Sequence, residues 1–199
     1  MPKPEAVFDS LYTGSILQRH FGNIARGEIH LFTYLACLLS IYSGHAADDW
    51  VYGYAGTKMG APFSTELDSA IEDVLRNGMA TGNEFLEISR SGLHEVTELA
   101  SMSFFSSRII FLEAACCSVL ALPVGIVRDA LSHEPNLRPI SRLGTSRRLL
   151  DRAGLDLLYE HFDALRTAVG AVPDLLVPAT VWLSFLAQST NRKLPEVRR

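Results

Sequence analysis

A mainly α-helical protein is predicted from this sequence of 199 residues, and three observations carry the prediction. Leu67, Ala70, Ile71, Val74 and Leu75 fall at i, i+3, i+4, i+7 and i+8, the spacing of one apolar stripe on a helix. That helix runs into a Gly82-Asn83 pair between two short segments, in the second of which Leu86 and Ile88 alternate with Glu87. A tight turn between strands asks for residues that tolerate positive φ, so the pattern reads as a hairpin. Glu28 to Tyr42 carries two apolar strips, one with Ile29, Phe32, Leu35, Leu39 and Tyr42 and one with Leu31, Leu38 and Ile41, as in a helix buried on two sides. Helix, short helix, turn, helix, hairpin, helix is the order of a winged helix-turn-helix. The prediction is therefore a winged-helix domain over 28–101 followed by a helical C-terminal region over 102–199.

Each element has its own warrant. Residues 1–27 are mixed, with Pro2, Pro4, Gly14, Gly22 and Gly27, and are expected to form an N-terminal arm with one or two amphipathic turns at Val7, Phe8, Leu11 and Tyr12. Ser43-Gly44 ends the first helix. Ala46 to Tyr54 reads as a shorter helix with Trp50, Val51 and Tyr54 inward, and 55–63 as a turn. Thr65 followed by Asp68 suits a capping box, and Gly78 a left-handed C-cap. Past the hairpin, a helix begins near Gly92 with Ser91 as its cap. From Met102 to Leu131 the chain reads as helix, broken at Pro123 and Gly125. The uncharged run Ala114 to Val127 falls short of the ~20 residues of a membrane span, so a buried core helix is expected. His133 to Gly144 reads as a linker, Thr145 to Val169 as a helix pair or one interrupted helix, and Ala179 to Gln188 as a last apolar helix before a polar, frayed tail from Ser189. A degenerate second winged helix within 103–190 remains an open alternative.

Composition suits a folded chain: 48% of residues are apolar and 20% charged. The net charge of −4 gives no broad attraction for nucleic acid. The charge is uneven, −7 over residues 1–100 and +3 over 101–199. Cys37, Cys116 and Cys117 are odd in number, lack zinc-ligand spacing and sit in apolar surroundings, which points to reduced core thiols in a cytoplasmic protein. The start of the chain lacks a basic-then-apolar secretory pattern.

Chemistry-bearing patterns are sparse. Gly53 to Gly60 has the glycines and the Lys58 of a phosphate loop but not the spacing, so a turn is expected there. His20, His30, His45, His94, His133 and His161 are scattered, and none pairs with a thiol or carboxylate at a ligand spacing. Asp48-Asp49 reads as an acidic first helical turn. Ser89, Ser91 and His94 lie close in sequence without forming a recognisable nucleophile–base arrangement. No catalytic, cofactor-binding or metal-ligating residue is assigned, and the chain is expected not to be an enzyme.

The recognition position of the predicted winged helix is acidic. Glu66, Asp68, Glu72 and Asp73 against Arg76 give its outward face a charge of −3, and the wing adds Glu84 and Glu87. Duplex binding draws its affinity from neutralising phosphates, so this helix would be repelled from the groove. Glu66, Glu72, Asp73 and Arg76 are therefore the candidate protein-binding residues. The basic stretch lies elsewhere: Arg138, Arg142, Arg147, Arg148 and Arg152 against Asp151 give +4 over fifteen residues. Arg142, Arg147, Arg148 and Arg152 are the candidate nucleic-acid contacts.

The run HLFTYLACLLSIYSG, then DDWVYGYAGTKMG, then FSTELDSAIEDVLRNGMATGNEFLEIS resembles the small middle component of bacterial three-component ABC systems, among them the Lamassu-type defence systems. It is also similar to the winged-helix subunits that bind kleisins in SMC complexes. The resemblance covers residues 28–100 and rests on apolar spacing. It implies a non-enzymatic accessory subunit that docks on an SMC-like coiled-coil ABC ATPase and on an effector subunit, in defence against phage or plasmid DNA, with DNA reached through the complex and no membrane partner. It carries over no catalytic residues. A winged-helix DNA-binding transcription regulator, dimeric through its C-terminal helices, is the alternative, and an enzyme with an unrecognised site is a third.

Overall fold

Two helices that pack at the centre of the protein decide where everything else lies. The structure is a computed structural model describing residues 2–191, apart from the side chains of residues 141 and 189–191. Most of the polar tail expected from Ser189 lies outside the described residues. The first central helix is α1 (Pro4–Phe21) and the second is α2 (Arg26–Tyr42). In α2, every residue from Ile29 to Ile41 is buried, as the two apolar strips require.

The N-terminal stretch is not an arm. Residues 4–21 form α1, and Ala6, Phe8, Leu11 and Leu17 on it are fully buried. So are polar and small residues: Asp9, Ser10, Thr13, Gly14 and Ser15. Ser10 and Ser15 bond their hydroxyls back to the carbonyls of Val7 and Tyr12, at 2.9 and 2.8 Å, which satisfies them without an outside partner. Gly14 has a packing reason to lack a side chain, since a Cβ there would come within 2.8 Å of Ile88 Cδ1. The helix thus buries its small face against a hairpin, and that face has no hydrophobic periodicity to detect.

After α1, the two-residue strand β1 (Ile24–Ala25) pairs with β5 (Phe85–Ile88), and β5 pairs with β4 (Ala80–Gly82), all antiparallel. The sheet order is β1-β5-β4. Its register sets Ile24 opposite Leu86 and Ala80 opposite Ile88, so Ile24, Leu86, Ala80 and Ile88 all point inward. Gly82 turns the hairpin with φ of +102°. Helix α3 (Thr65–Arg76) precedes the hairpin and α4 (Arg90–Ala100) follows it, and both pack on α1. Gly78 adopts the left-handed cap expected of it. The N-caps differ by a residue or two from the sequence reading: Ser64 caps α3, and Ser89, not Ser91, caps α4.

The segment read as a helix over 46–54 is a single 3-10 turn, Ala47–Trp50, followed by extended chain. Val51 has φ of +75°, which ends the turn. Beyond it Trp50, Tyr52 and Tyr54 are buried while Val51 and Gly53 are exposed, the period-two burial of extended backbone. The glycine-rich run is a hairpin: β2 (Ala55–Gly56) pairs with β3 (Pro62–Phe63), with Lys58 and Met59 exposed at its tip. On its other side β2 pairs with β6 (Arg147–Arg148).

The second half is helical. Helix α5 (Ser106–Cys117) packs along α2, and a 3-10 turn at Ser118–Leu120 ends it ahead of Pro123, the N-cap of α6 (Val124–Ser132). Ser103–Leu120 is long and apolar enough to cross a membrane by length and composition, but 44% of it is buried inside the protein. The expected linker 133–144 holds a short helix, α7 (Leu137–Leu143), and Pro139 is tolerated there because it lies in the first turn. Helices α8 (Arg152–Val169) and α9 (Leu176–Asn191) pack on each other, and α9 also on α6. The main apolar core draws on both halves, from Phe8 and Leu35 to Phe162 and Trp182.

One buried ion pair crosses that core. Asp9 on α1 is inaccessible to solvent and holds Arg108 of α5 through two hydrogen bonds, from Nε at 2.9 Å and from Nη2. Tyr52 donates its hydroxyl to the same carboxylate at 2.5 Å, and the Arg108 guanidinium lies 3.9 Å from the centre of the Trp50 ring. Burial pushes the Asp9 carboxyl up, and the bonds from Arg108 and Tyr52 pull it back. Replacing Arg108 by Met strands a buried carboxylate and should cost ~3–5 kcal/mol in urea unfolding. Replacing both residues, Asp9→Leu with Arg108→Met, should recover most of that loss.

Candidate interaction sites

Helix α3 is amphipathic because Leu67, Ala70, Ile71 and Val74 are buried and leave the carboxylates on the other side. Ser64 starts it by accepting a hydrogen bond from the Leu67 N–H at 3.4 Å, and Glu66 and Asp68 in the first turn favour the positive end of the helix dipole. The outer face is not bare. Arg26, the first residue of α2, reaches across and donates from Nε to Asp68 at 2.9 Å and from Nη1 to Glu72 at 2.6 Å. It also donates to the Asp68 carbonyl at 3.3 Å. Asp73 pairs with Arg76 at 3.1 Å and accepts from Asn77, and Glu66 accepts from the Thr65 hydroxyl at 3.0 Å. All four candidate protein-binding residues thus lie on α3, and Glu72, Asp73 and Arg76 are engaged in ion pairs within the chain.

Beneath this face sits His30. Its ring stacks on Phe63 with centroids 4.7 Å apart, and its Nδ1 accepts the backbone N–H of Ser64 at 3.2 Å. Nε2 lies 3.6 Å from Asp68. Burial lowers its pKa to about 4, against the opposing pull of Asp68. A neutral imidazole is what this geometry needs, since Nδ1 must keep its lone pair for Ser64. Arg26 and His30 were not singled out from sequence, because their partners lie 34 to 46 residues away and no local spacing links them.

The hairpin that follows α3 carries no Lys or Arg between Asn77 and Ser89. Its tip exposes Asn83, Glu84 and Phe85, with Phe85 57% accessible.

The candidate nucleic-acid residues fall on three elements. Arg142 is exposed on α7, Arg147 and Arg148 on β6, and Arg152 opens α8. Arg147 pairs with Asp151 at 2.6 Å, and Asp151 also caps α8 by accepting from the Gly154 N–H. Their placement rests on a buried polar staple. Glu134 is inaccessible and accepts from the Tyr34 hydroxyl, from the N–H groups of Asn136 and Leu137, and from the Asn136 amide. Burial raises its pKa, and these donors oppose the rise. Asn136 in turn accepts the N–H of Leu150, whose φ is +58°. Gly154 lies against that amide so closely that a Cβ would stand 1.8 Å from Asn136 Oδ1. The acidic and basic candidates meet at one cleft of about 300 Å³, lined by Tyr54, Phe63, Thr65, Glu66 and Arg148.

Among the described residues, no group of three or more His, Cys, Asp or Glu side chains is placed to hold a metal ion. Compared with protein-family models, curated proteins and solved structures, the chain matches none.

The state of His30 has a measurable consequence. An unfolded histidine takes up its proton near pH 6.5, while the folded one holds out to about 4. Between those values the unfolded state binds more protons, so stability falls as the pH is lowered from about 6.5 toward 4. The full loss is on the order of 3 kcal/mol, since each pK unit corresponds to about 1.4 kcal/mol. His30→Asn offers Ser64 an acceptor that does not titrate. Urea midpoints measured across this window should fall less steeply for the variant than for the parent chain.

Proposed function

We propose that residues 4–100 form a winged helix used for protein docking. On this reading the chain is a non-enzymatic accessory subunit of an SMC-like ABC ATPase complex in anti-phage or anti-plasmid defence, contacting ATPase and effector chains. The order α1, β1, α2, α3 and the β4–β5 hairpin, with β2 and β3 between α2 and α3, and the sheet order β1-β5-β4 support the winged-helix reading. The observation that carries the docking role is the charge of α3 and its hairpin. A recognition helix enters the major groove and its flanks meet phosphates. Here that helix presents carboxylates, and the guanidinium beside it, Arg26, is bonded to Asp68 and Glu72. The defence setting rests on the sequence resemblance alone.

A second contact has its own support. The exposed arginines at 142, 147, 148 and 152 suit phosphates, and such contact is insensitive to base sequence. It complements docking, because phosphates held by these arginines need no base contact from α3. A transcription regulator would instead read bases through α3.

Two arms of one experiment test this reading. The full chain is mixed with the product of an adjacent ATPase gene and sedimented, as the parent and as Glu66→Lys/Asp73→Lys. Complex formation by the parent, weakened about tenfold or more in the variant, is the expected result. In the other arm duplex binding is titrated with salt. Arg148→Glu/Arg152→Glu should weaken binding equally on unrelated sequences and flatten the salt slope. A monomer that ignores the ATPase, or base-specific protection that depends on α3, would reject the docking reading.

A further inference from the structure

The C-terminal helices leave an open groove that the α3 reading does not use. Leu157, His161, Ala164 and Ala168 follow at i, i+4, i+7 and i+11 along α8, and Leu157, Ala164 and Ala168 are exposed. Val177, Val181 and Phe185 follow at intervals of four along α9 and are exposed as well. The two stripes face the same gap, since the His161 and Phe185 rings lie 6.2 Å apart. Trp182 and Leu165, both buried, line its floor, and the cavity between the helices measures about 350 Å³. It continues past His161 into a second hollow of about 700 Å³, walled by Leu143, Leu157, Arg138 and Arg142. Leu143 is 72% exposed there.

We propose that this groove receives an amphipathic helix of a partner protein, with apolar residues along the α8–α9 gap and carboxylates at the end beside Arg142. Two packed helices with exposed apolar stripes form the receiving side of helix-in-groove recognition, read by anchors at i, i+4 and i+7. From Leu157 to Ala168 the stripe spans twelve residues, ~16 Å of helix, so about three turns of partner helix fill the groove. The charge fixes the partner's chemistry and direction. The apolar end has Glu160 on its wall, while the other end has the exposed Arg142. An acidic end is therefore favoured at Arg142 and disfavoured at Glu160.

The test is a selection with a counter-target. A displayed library of peptides about 16 residues long is panned on the full chain, with the Ala164→Arg chain for counter-selection. Ala164 is exposed and Arg is a good helix former, so the variant should keep its thermal midpoint; Val181→Glu serves as a second block from the other wall. The expected winners carry apolar residues at i, i+4 and i+7 with Asp or Glu grouped at one end. As synthetic peptides they should bind both blocked chains about tenfold more weakly than the parent. Arg142→Glu should weaken acidic winners more than versions with the acidic residues made neutral. Winners that bind parent and blocked chains alike, or that group Lys and Arg at one end, overturn the proposal. So does a parent chain that sediments as a dimer and becomes monomeric with Ala164→Arg, because the occupant is then a second copy. Peptide binding that appears only after residues 192–199 are removed also overturns it, because the occupant is then the chain's own tail.

Discussion

The contact between Asp9 and Arg108 is the one on which the arrangement of the two halves depends. It joins the first helix to α5 across 99 residues, and Tyr52 and Trp50 bring the intervening segment to the same point. Removing two charges from water costs several kcal/mol per ion, and attraction repays that only when the remaining lone pairs are also met. Here the carboxylate takes two bonds from the guanidinium and one from a phenol, and the guanidinium lies over an indole face. The net gain in stability from such a pair is small. What it does is exclude alternatives: a shift of α1 by one residue would leave a charge in the apolar core. With α1 fixed, Gly14 meets Ile88, and the position of β5, β4 and α3 follows.

Glu134 plays the same part on the other side of α2. Its bond from Tyr34 joins α2 to the turn before α7, and its bonds from Asn136 and Leu137 start that helix. Asn136 then holds Leu150, and so the strand carrying Arg147 and Arg148. Two buried carboxylates therefore tie each central helix to the second half. The halves differ in net charge yet share one apolar core, so charge marks the surfaces of this protein and not the units that pack.

Much of the architecture was legible where one side of an element is apolar and the other is not. The α3 stripe, the alternation at Leu86 and Ile88, and the broad apolar α2 all lie where periodicity placed them. Helix α1 was not legible, because it buries Asp9, Ser10, Thr13 and Ser15; Ser10 and Ser15 are compensated by their own backbone and Asp9 by Arg108. Trp50, Tyr52 and Tyr54 held the correct signal, an alternation, but Trp50, Val51 and Tyr54 also fit a helical face, and only the positive φ at Val51 decides between them. Helix α7 was masked by Pro135 and Pro139. At the candidate sites, the acidic face of α3 and the exposed arginines could be read residue by residue. The roles of Arg26 and His30 could not, since each depends on a contact made by the fold.

Those contacts change what the acidic face means. Arg26 leaves Asp68 and Glu72 paired but still 34% and 53% exposed at their side chains. Pairs this open are worth ~1 kcal/mol or less each, because water and salt screen them. A Lys or Arg from another protein can therefore take one of these carboxylates at little cost, while a phosphate meets several carboxylates and a guanidinium already engaged. At physiological salt the field of either half decays over about 8 Å. The −7 and +3 halves thus act on a partner at contact and not from afar, and what touches each surface is decided by local pairing. The cleft where Glu66 and Arg148 face each other offers both signs within one hollow. A uniformly charged polymer gains on one wall of it and loses on the other. A protein surface of mixed charge can satisfy both.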